Sequence, residues 1–588
     1  MKRLFLPIAV LLLVLSSIYT VPFAQDMEAP EGTWFGTWPY TLPPDHHLNA
    51  YAAGGPNTNL GNLYRGMVEL TPAFYLWASD EYTGILATDW GFVDDDTAYQ
   101  ITFRDDAMWS NGSQVDADDV LTTYALGRLS GWSQFSFIDE VEKVDDFTVR
   151  FHFIDGVPSL RAERLLLKEY IVADDTYGEL AARATELFAS TTDSESEEWQ
   201  ALLTEVQEFR PTELIASGPY TYNLDAVGDS FLTLTWQPNS IYSDSVQFGD
   251  LKIWAGETES TTPLVLSGEI AHSTNVYAPS TVDTFVAEGI DIVSIPRGYG
   301  PAMLFNVEIA PWNIKEVRQA VALVIDRDQN AFLTNGANAT GTLYMSGILD
   351  SLAPNLLNQD VIDQLDGYAY DLDRAAELLG SVGYSLNGDG IWADADGNTL
   401  SGEWVFPQDF IDFASATQDA VAQMNDFGFD IALRAVPWQE VPPLIRAGDF
   451  ELSVWAWGAA SPLASLHFRN PVQRWDTELA ADQPGLSLSL DAVVTADGTV
   501  NLDDMINSVN DGLDTAAHRV AAGEVALVLN DEMFFIPLNE MLSAEPFNTD
   551  LISGLPSDDD PILINPTGSD HFIILYLLNG TLGPVMGE

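Results

Sequence analysis

Segments patterned as strands and segments patterned as helices follow one another along almost the whole chain, and this alternation restricts the fold more than any other feature of the sequence. It points to an α/β architecture with mixed sheets and excludes a pure helical bundle or a pure sandwich. Thr33-Trp34-Phe35-Gly36-Thr37-Trp38 reads as a first strand, ended by the prolines at 39, 43 and 44, because proline cannot donate to a ladder. Tyr99-Gln100-Ile101-Thr102-Phe103 alternates like a half-buried strand, and Asn111-Gly112 supplies a hairpin turn. A helix is expected directly afterwards, with Asp116 as N-cap, Asp119 in the first turn, and Val120, Tyr124 and Leu126 on its apolar side.

Further helices are legible from their ends. Asn313-Ile314-Lys315-Glu316 carries a capping-box pattern, after which Ile314, Val317, Val321 and Val324 fall on one face. Asp371 caps a helix over 372–382, and Gly383 stands where a left-handed C-terminal residue belongs. A helix over 418–426 leads through Gly428 into the strand Ile431-Ala432-Leu433-Arg434-Ala435-Val436, which makes one αβ unit.

At 588 residues the chain is several times the usual domain of about 100–200 residues, so two or three packed units are expected. A hydrophobic content of 46% against 19% charged residues supplies enough apolar surface to offset chain entropy and excludes wholesale disorder. Lys2 and Arg3 precede an apolar run from Leu4 to Val14 and a more polar stretch ending at Ala24. That pattern is an export signal over 1–24, followed by a linker over 25–32. The alternative is a retained anchor, for which the apolar run is short against a span of about 20 residues.

The chain contains no cysteine, which excludes a disulfide framework, a lipidated cysteine and a thiol nucleophile. Its 88 acidic and 23 basic residues give a formal net charge of −65, a field that repels nucleic acid. The charge reads as a solvated acidic surface, with cation capture as the sharper alternative. No Gly-x-Ser-x-Gly elbow, His-Glu-x-x-His or phosphate-binding loop occurs. Carboxylate pairs arise by chance in so acidic a chain and carry no weight for glycosidase chemistry. The chain is therefore read as a binder and not an enzyme, a secreted hydrolase being the alternative. His46-His47, His272, His467 and His571 are scattered and not at metal-ligand spacing, so neither a metal nor a cofactor is expected. Asp394-Ala395-Asp396-Gly397-Asn398 resembles part of a calcium loop but lacks the remaining ligands, so a hairpin turn is expected there.

Several collinear segments have a family wording. The strand Thr102-Phe103-Arg104-Asp105-Asp106-Ala107-Met108-Trp109-Ser110-Asn111-Gly112 with its helix start Ala117-Asp118-Asp119-Val120 comes first. Ser217-Gly218-Pro219-Tyr220, Leu266-Ser267-Gly268-Glu269-Ile270, Phe305-Asn306, Val317-Arg318-Gln319-Ala320 and Asp326-Arg327 follow. Tyr370-Asp371, Ala375-Ala376-Glu377-Leu378-Leu379, Gly448-Asp449-Phe450-Glu451-Leu452 and Trp455-Ala456-Trp457-Gly458 complete the order. In these segments the chain resembles extracellular solute-binding protein family 5, the oligopeptide-, dipeptide-, nickel- and cellobiose-type binding proteins of ABC importers.

The resemblance implies a two-lobed, periplasmic-binding-protein-like fold of type II in its large three-subdomain form, with a hinge and an interlobe ligand cleft. Lobe 1 would cover 33–302 with an inserted subdomain at about 61–215, lobe 2 would cover 303–544, and 545–588 would return to lobe 1. It also implies an exported, monomeric protein at the extracellular face of the membrane or in the periplasm, with permease subunits as partners. Trp457, Trp455, Trp438, Trp34, Trp38, Tyr40 and Trp132 fall where relatives line the cleft; each is otherwise a core aromatic. Arg446 and Arg318 are the charged candidates, the alternative for each being an ion pair among so many carboxylates. Ala460 stands where peptide-binding relatives carry an aspartate that pairs with the peptide's amino terminus. An alanine cannot hold an ammonium, so the expected ligand is an oligosaccharide of cellobiose type, with an oligopeptide as the second reading.

Overall fold

The computed structural model describes residues 28–479, 483–496 and 498–585. The expected export signal and residues 25–27 of the linker lie outside the described residues. Thr33–Thr37 forms the first strand and pairs in parallel with Asp250–Trp254, which is followed antiparallel by Phe231–Trp236 and Tyr220–Thr221. Everything between residues 37 and 220 is thus built out from one sheet. It contains a four-stranded antiparallel sheet in the order Ala87–Val93, Ala98–Phe103, Thr148–Phe153, Ile138–Asp145.

The expected hairpin and helix are present and chemically joined. Asp116 caps the helix Ala117–Leu129 by accepting from the Asp118 amide. The Asp119 carboxylate accepts from the Asp116 amide at 2.9 Å, the Asp174 amide at 2.7 Å and the Trp109 indole at 2.9 Å. One buried side chain therefore ties turn, helix and the next helix together, and burial pushes its carboxyl up to about 7.

The second lobe is organised by a mixed five-stranded sheet in the order Asp430–Val436, Ser401–Pro407, Leu452–Trp457, Gly300–Phe305, Phe535–Pro537. Gly428 takes the left-handed cap after the helix Ile411–Phe427, as expected, although that helix begins seven residues before Gln418. Asp371 caps Leu372–Ser381 through the Arg374 amide at 3.0 Å. Asp394 accepts from the amides of Asp396 and Asn398 and closes the expected turn. The capping box at Asn313 does not form: the helix is Lys315–Val324 with Ile314 at its N-cap, and the Asn313 amide is spent on the Ile309 carbonyl in the preceding turn.

Two groups of buried side chains lie on either side of a crossing point. The first runs from Trp34 to Ile295 and resumes at Phe547, ending at Leu582. The second comprises two clusters between Ala302 and Met541, one on each side of the five-stranded sheet. Chain passes between the groups along Asp291–Pro296, which pairs antiparallel with Asn539–Phe547. Just beyond, Gly300 lies so close that a Cβ there would sit 1.9 Å from the Asn539 carbonyl oxygen, so only glycine permits the strands to pass. Among the described residues no helix is long and apolar enough to cross a membrane.

Candidate ligand-binding cleft

Two cavities of about 340 and 560 Å3 open beside this crossing and share Asn62, Arg297, Tyr299, Phe410 and Gly568. In the inner cavity Trp38, Glu257 and Asn275 face Asp409, Phe410, Asp412 and Trp438. Phe410 precedes the helix Ile411–Phe427, and its ring stacks on Trp438 with centroids 5.6 Å apart and planes 17° from parallel. Asp409 fixes the turn that presents Trp438 by accepting from its amide at 3.1 Å. Trp455 continues the aromatic wall, 6.2 Å from Phe410 and edge-on to Trp475.

The polar groups of the inner cavity come from both lobes. Arg297 donates to Asp412 at 3.0 Å and lies over the Tyr299 ring at 4.7 Å. Burial, with Asp412 and Asp409 nearby, pushes the Glu257 carboxyl up to about 7, so near neutral pH it exists in both donor-bearing and acceptor-only forms. Its Oε1 has no hydrogen-bond partner among the described residues. The outer cavity is bounded by Ala460, whose carbonyl accepts from Arg164 at 3.0 Å and from the Ser569 hydroxyl at 3.0 Å, a contact across the lobes. Gly298, at φ 78°, faces it, and a Cβ there would lie 2.6 Å from that of Ala460. The lobes also touch through Arg161 on Asp511 at 2.9 Å and the Leu160 amide on the Asn510 carbonyl at 3.1 Å.

Behind the cleft, Asp570 is fully buried and forms ion pairs with Arg164 at 2.5 Å and with Lys168. Burial opposes its ionisation, but the two cations outweigh it and hold the carboxyl well below the usual range. A second buried carboxylate, Glu545 on the strand Asn539–Phe547, accepts from His272 Nε2 at 2.7 Å and from His571 Nε2 at 2.9 Å. His571 Nδ1 accepts from the Ile573 amide, which places its proton on Nε2. The expectation of scattered histidines is thus corrected for this pair, because the C-terminal return brings residue 571 beside residue 272. The three ligand atoms lie within 4.8 Å of one another, a spacing that a divalent ion could bridge; in the structure both Nε2 atoms pair with the Glu545 carboxylate, and the buried His272 Nδ1 has no hydrogen-bond partner among the described residues.

Over residues 81–472 the sequence matches the family model described as bacterial extracellular solute-binding proteins, family 5 Middle. The chain belongs to this family. Its fold is that of solved members. The mannohexaose-bound oligopeptide ABC transporter periplasmic oligopeptide-binding protein of Thermotoga maritima superposes with a TM-score of 0.74 at 17% identity, over 96% of this chain and 100% of that one. AppA from Bacillus subtilis, solved with a nonapeptide, gives 0.68 at 14% identity over 95% and 100%. NikA from Brucella suis, solved with Fe(III)-EDTA, gives 0.67 at 18% over 94% and 100%. No curated protein matches the chain by sequence.

Within this family 5 chain the singled-out residues divide cleanly. Trp38, Trp438, Trp455 and Ala460 line the two cavities. Trp132 lines an adjoining space and stacks on Tyr51, with centroids 5.9 Å apart. Trp34 is instead core: it is fully buried, edge-on to Phe248 and within reach of the Tyr64 hydroxyl. Tyr40 is buried too, with its hydroxyl on the Gly228 carbonyl at 2.7 Å. Trp457 shares the face of Trp455 but lies beneath the crossing strand, 1% exposed and donating to the Asn539 carbonyl at 3.1 Å. Arg446 lies over the Trp475 ring at 5.6 Å and lines neither cavity. Arg318 is held by the carbonyls of Trp312, Glu532 and Met533 and is a structural cation. Glu257, Arg297, Phe410 and Arg474 were not anticipated. Only the scarcity of basic residues marked Arg297 and Arg474; nothing local marked Glu257 or Phe410.

Proposed function

We propose that the chain captures an oligosaccharide between its lobes and presents it to the membrane permease of an ABC importer. The observation that carries this reading is the aromatic wall of Phe410, Trp438 and Trp455, with Trp38 across the cavity from it and amide and carboxyl groups on the same lining. Sugar rings bury their apolar faces on such surfaces and direct their hydroxyls to polar partners. Asn62 and Glu257 bring polar groups to the same lining. The mannohexaose in the Thermotoga relative is in keeping with it. In this reading lobe 1 spans 33–302 with an insertion at about 61–215 and regains 545–588, lobe 2 spans 303–544, and the protein is exported by 1–24 and acts as a monomer. It is a binder, without turnover of the captured ligand.

Peptide capture is the second reading, favoured by the peptide-bound relatives from Bacillus subtilis and Helicobacter pylori. Thermal shift against oligosaccharides and short peptides separates the two, because a ligand at a hundred times its Kd raises stability by about 2.7 kcal/mol. A shift with sugars alone is expected. Trp438→Ala is expected to abolish the shift while leaving the unliganded melting temperature near that of the parent. A shift with peptides alone, untouched by Trp438→Ala, would overturn the reading.

A further inference from the structure

The outer cavity inverts the charge balance of the chain. Against 88 acidic and 23 basic residues overall, it is lined by Arg164, Lys168, Arg297, Arg469 and Arg474 and, among the described residues, by no carboxylate. Four of these cations are braced from outside the cavity: Asp570 holds Arg164 and Lys168, Asp412 holds Arg297, and Glu478 holds Arg469. Arg474 differs. It lies against the Trp475 ring at 4.8 Å and makes no salt bridge or hydrogen bond among the described residues. Burial, with Arg469 and Arg446 nearby and against the weaker pull of Glu478, brings its guanidinium down to about 10, so it remains cationic at neutral pH. A half-buried cation beside two others is costly until an anion compensates it. Positive walls in a concave space also draw anions in while the acidic exterior disperses other cations. Lys168, Arg297 and Arg474 border one continuous space with Trp455 and Ala460, so an anion there is contiguous with a ligand on the aromatic wall.

We propose that this cavity is an anion subsite that receives a carboxylate of the captured ligand, which makes that ligand an acidic oligosaccharide bearing a uronate and not a neutral one. The inference rests on the oligosaccharide reading for the source of the carboxylate; the subsite itself requires only the anion. Guanidinium groups suit it because their paired N–H donors match the two carboxylate oxygens. An ammonium-bearing end of a ligand would be repelled from the same place.

The test is calorimetric titration of the full mature chain with uronate trisaccharides, each paired with its carboxyl-reduced neutral counterpart, and with tripeptides paired with their C-terminal amides. Uronates are expected to bind about ten- to a hundredfold tighter than their neutral counterparts, and Arg474→Gln is expected to erase most of that ratio between the two sugar forms. The acid-to-neutral comparison on the unaltered chain stands even if the variant folds poorly. Equal binding of both sugar forms overturns the subsite and leaves the oligosaccharide reading intact. Peptide binding that is lost on amidation and in Arg474→Gln supports the subsite and overturns the sugar reading. Peptide binding indifferent to amidation overturns both, as does silence towards every probe.

Discussion

Asp570→Ala is expected to destabilise the first lobe by about 3–5 kcal/mol, because it strands two buried cations at once. Asp570 is fully enclosed, Arg164 is nearly so, and Arg164 and Lys168 both reach the Asp570 carboxylate. The pair is poor evidence of net stabilisation in itself, since desolvating three charges is expensive; the large effect comes from breaking it on one side. Denaturant unfolding followed by intrinsic fluorescence reads the loss as a lower midpoint at unchanged slope. Asp570→Asn keeps an acceptor for Arg164 and is expected to lose less. A midpoint within about 0.5 kcal/mol of the parent for the alanine variant would show that water or the Ser569 and Ala460 oxygens suffice for both cations.

Glu545→Gln is expected to produce the second large effect, and to change the pH dependence as well as the stability. Burial raises the Glu545 carboxyl, but His571 and His272 outweigh it and hold the carboxyl well below its usual range. Burial lowers His272 against the pull of Glu545. For the carboxylate, the folded value lies below the unfolded one, so its stabilisation is complete above about 4.3 and falls as pH drops below that. For His272 the folded value also lies below the unfolded one of about 6.5, so the unfolded chain takes up the proton first and stability again falls with acid. Both contributions therefore decline acidward, beginning near pH 6.5. Melting temperatures of the parent between pH 8 and 2 are expected to be level at first and then to fall in two stages. Glu545→Gln should lose about 1–3 kcal/mol at pH 7.5, the cost of a mismatched buried hydrogen-bond pair, and lack the lower stage. Superimposable profiles for parent and variant would refute this account of the cluster.

The fold was largely legible because its signals are local. Alternation in 99–103, the cap at Asp116, the cap at Asp371 and the glycine at 428 each act within a few residues, and each forms the expected element. Asn313 failed for an equally local reason, since a turn had already claimed its amide. The cleft was half legible. Trp38 and Trp34 differ by four positions and share a chemistry, yet one faces the cavity and the other fills the core beside Phe248. Nothing in composition distinguishes them, because tryptophan serves both purposes. Glu257, Arg297, Phe410 and Gly568 meet only after the chain has crossed twice between the lobes, and such a meeting leaves no periodic trace. The histidine cluster was hidden in the same way: 299 positions separate His272 from His571.

The two cores also differ in when they can be completed during synthesis. Everything in the second lobe's clusters lies between Ala302 and Met541 in one uninterrupted stretch, so it can close as soon as that stretch is free. The first core includes Phe572, Ile573, Leu577 and Leu582, which are made after the whole of that stretch. More than five hundred residues after Trp34 has been laid down, its lobe still waits for these side chains, exposing apolar surface that its later-born neighbour has already hidden. The chain is thus assembled out of order, and any truncation near its end should harm the lobe at its beginning.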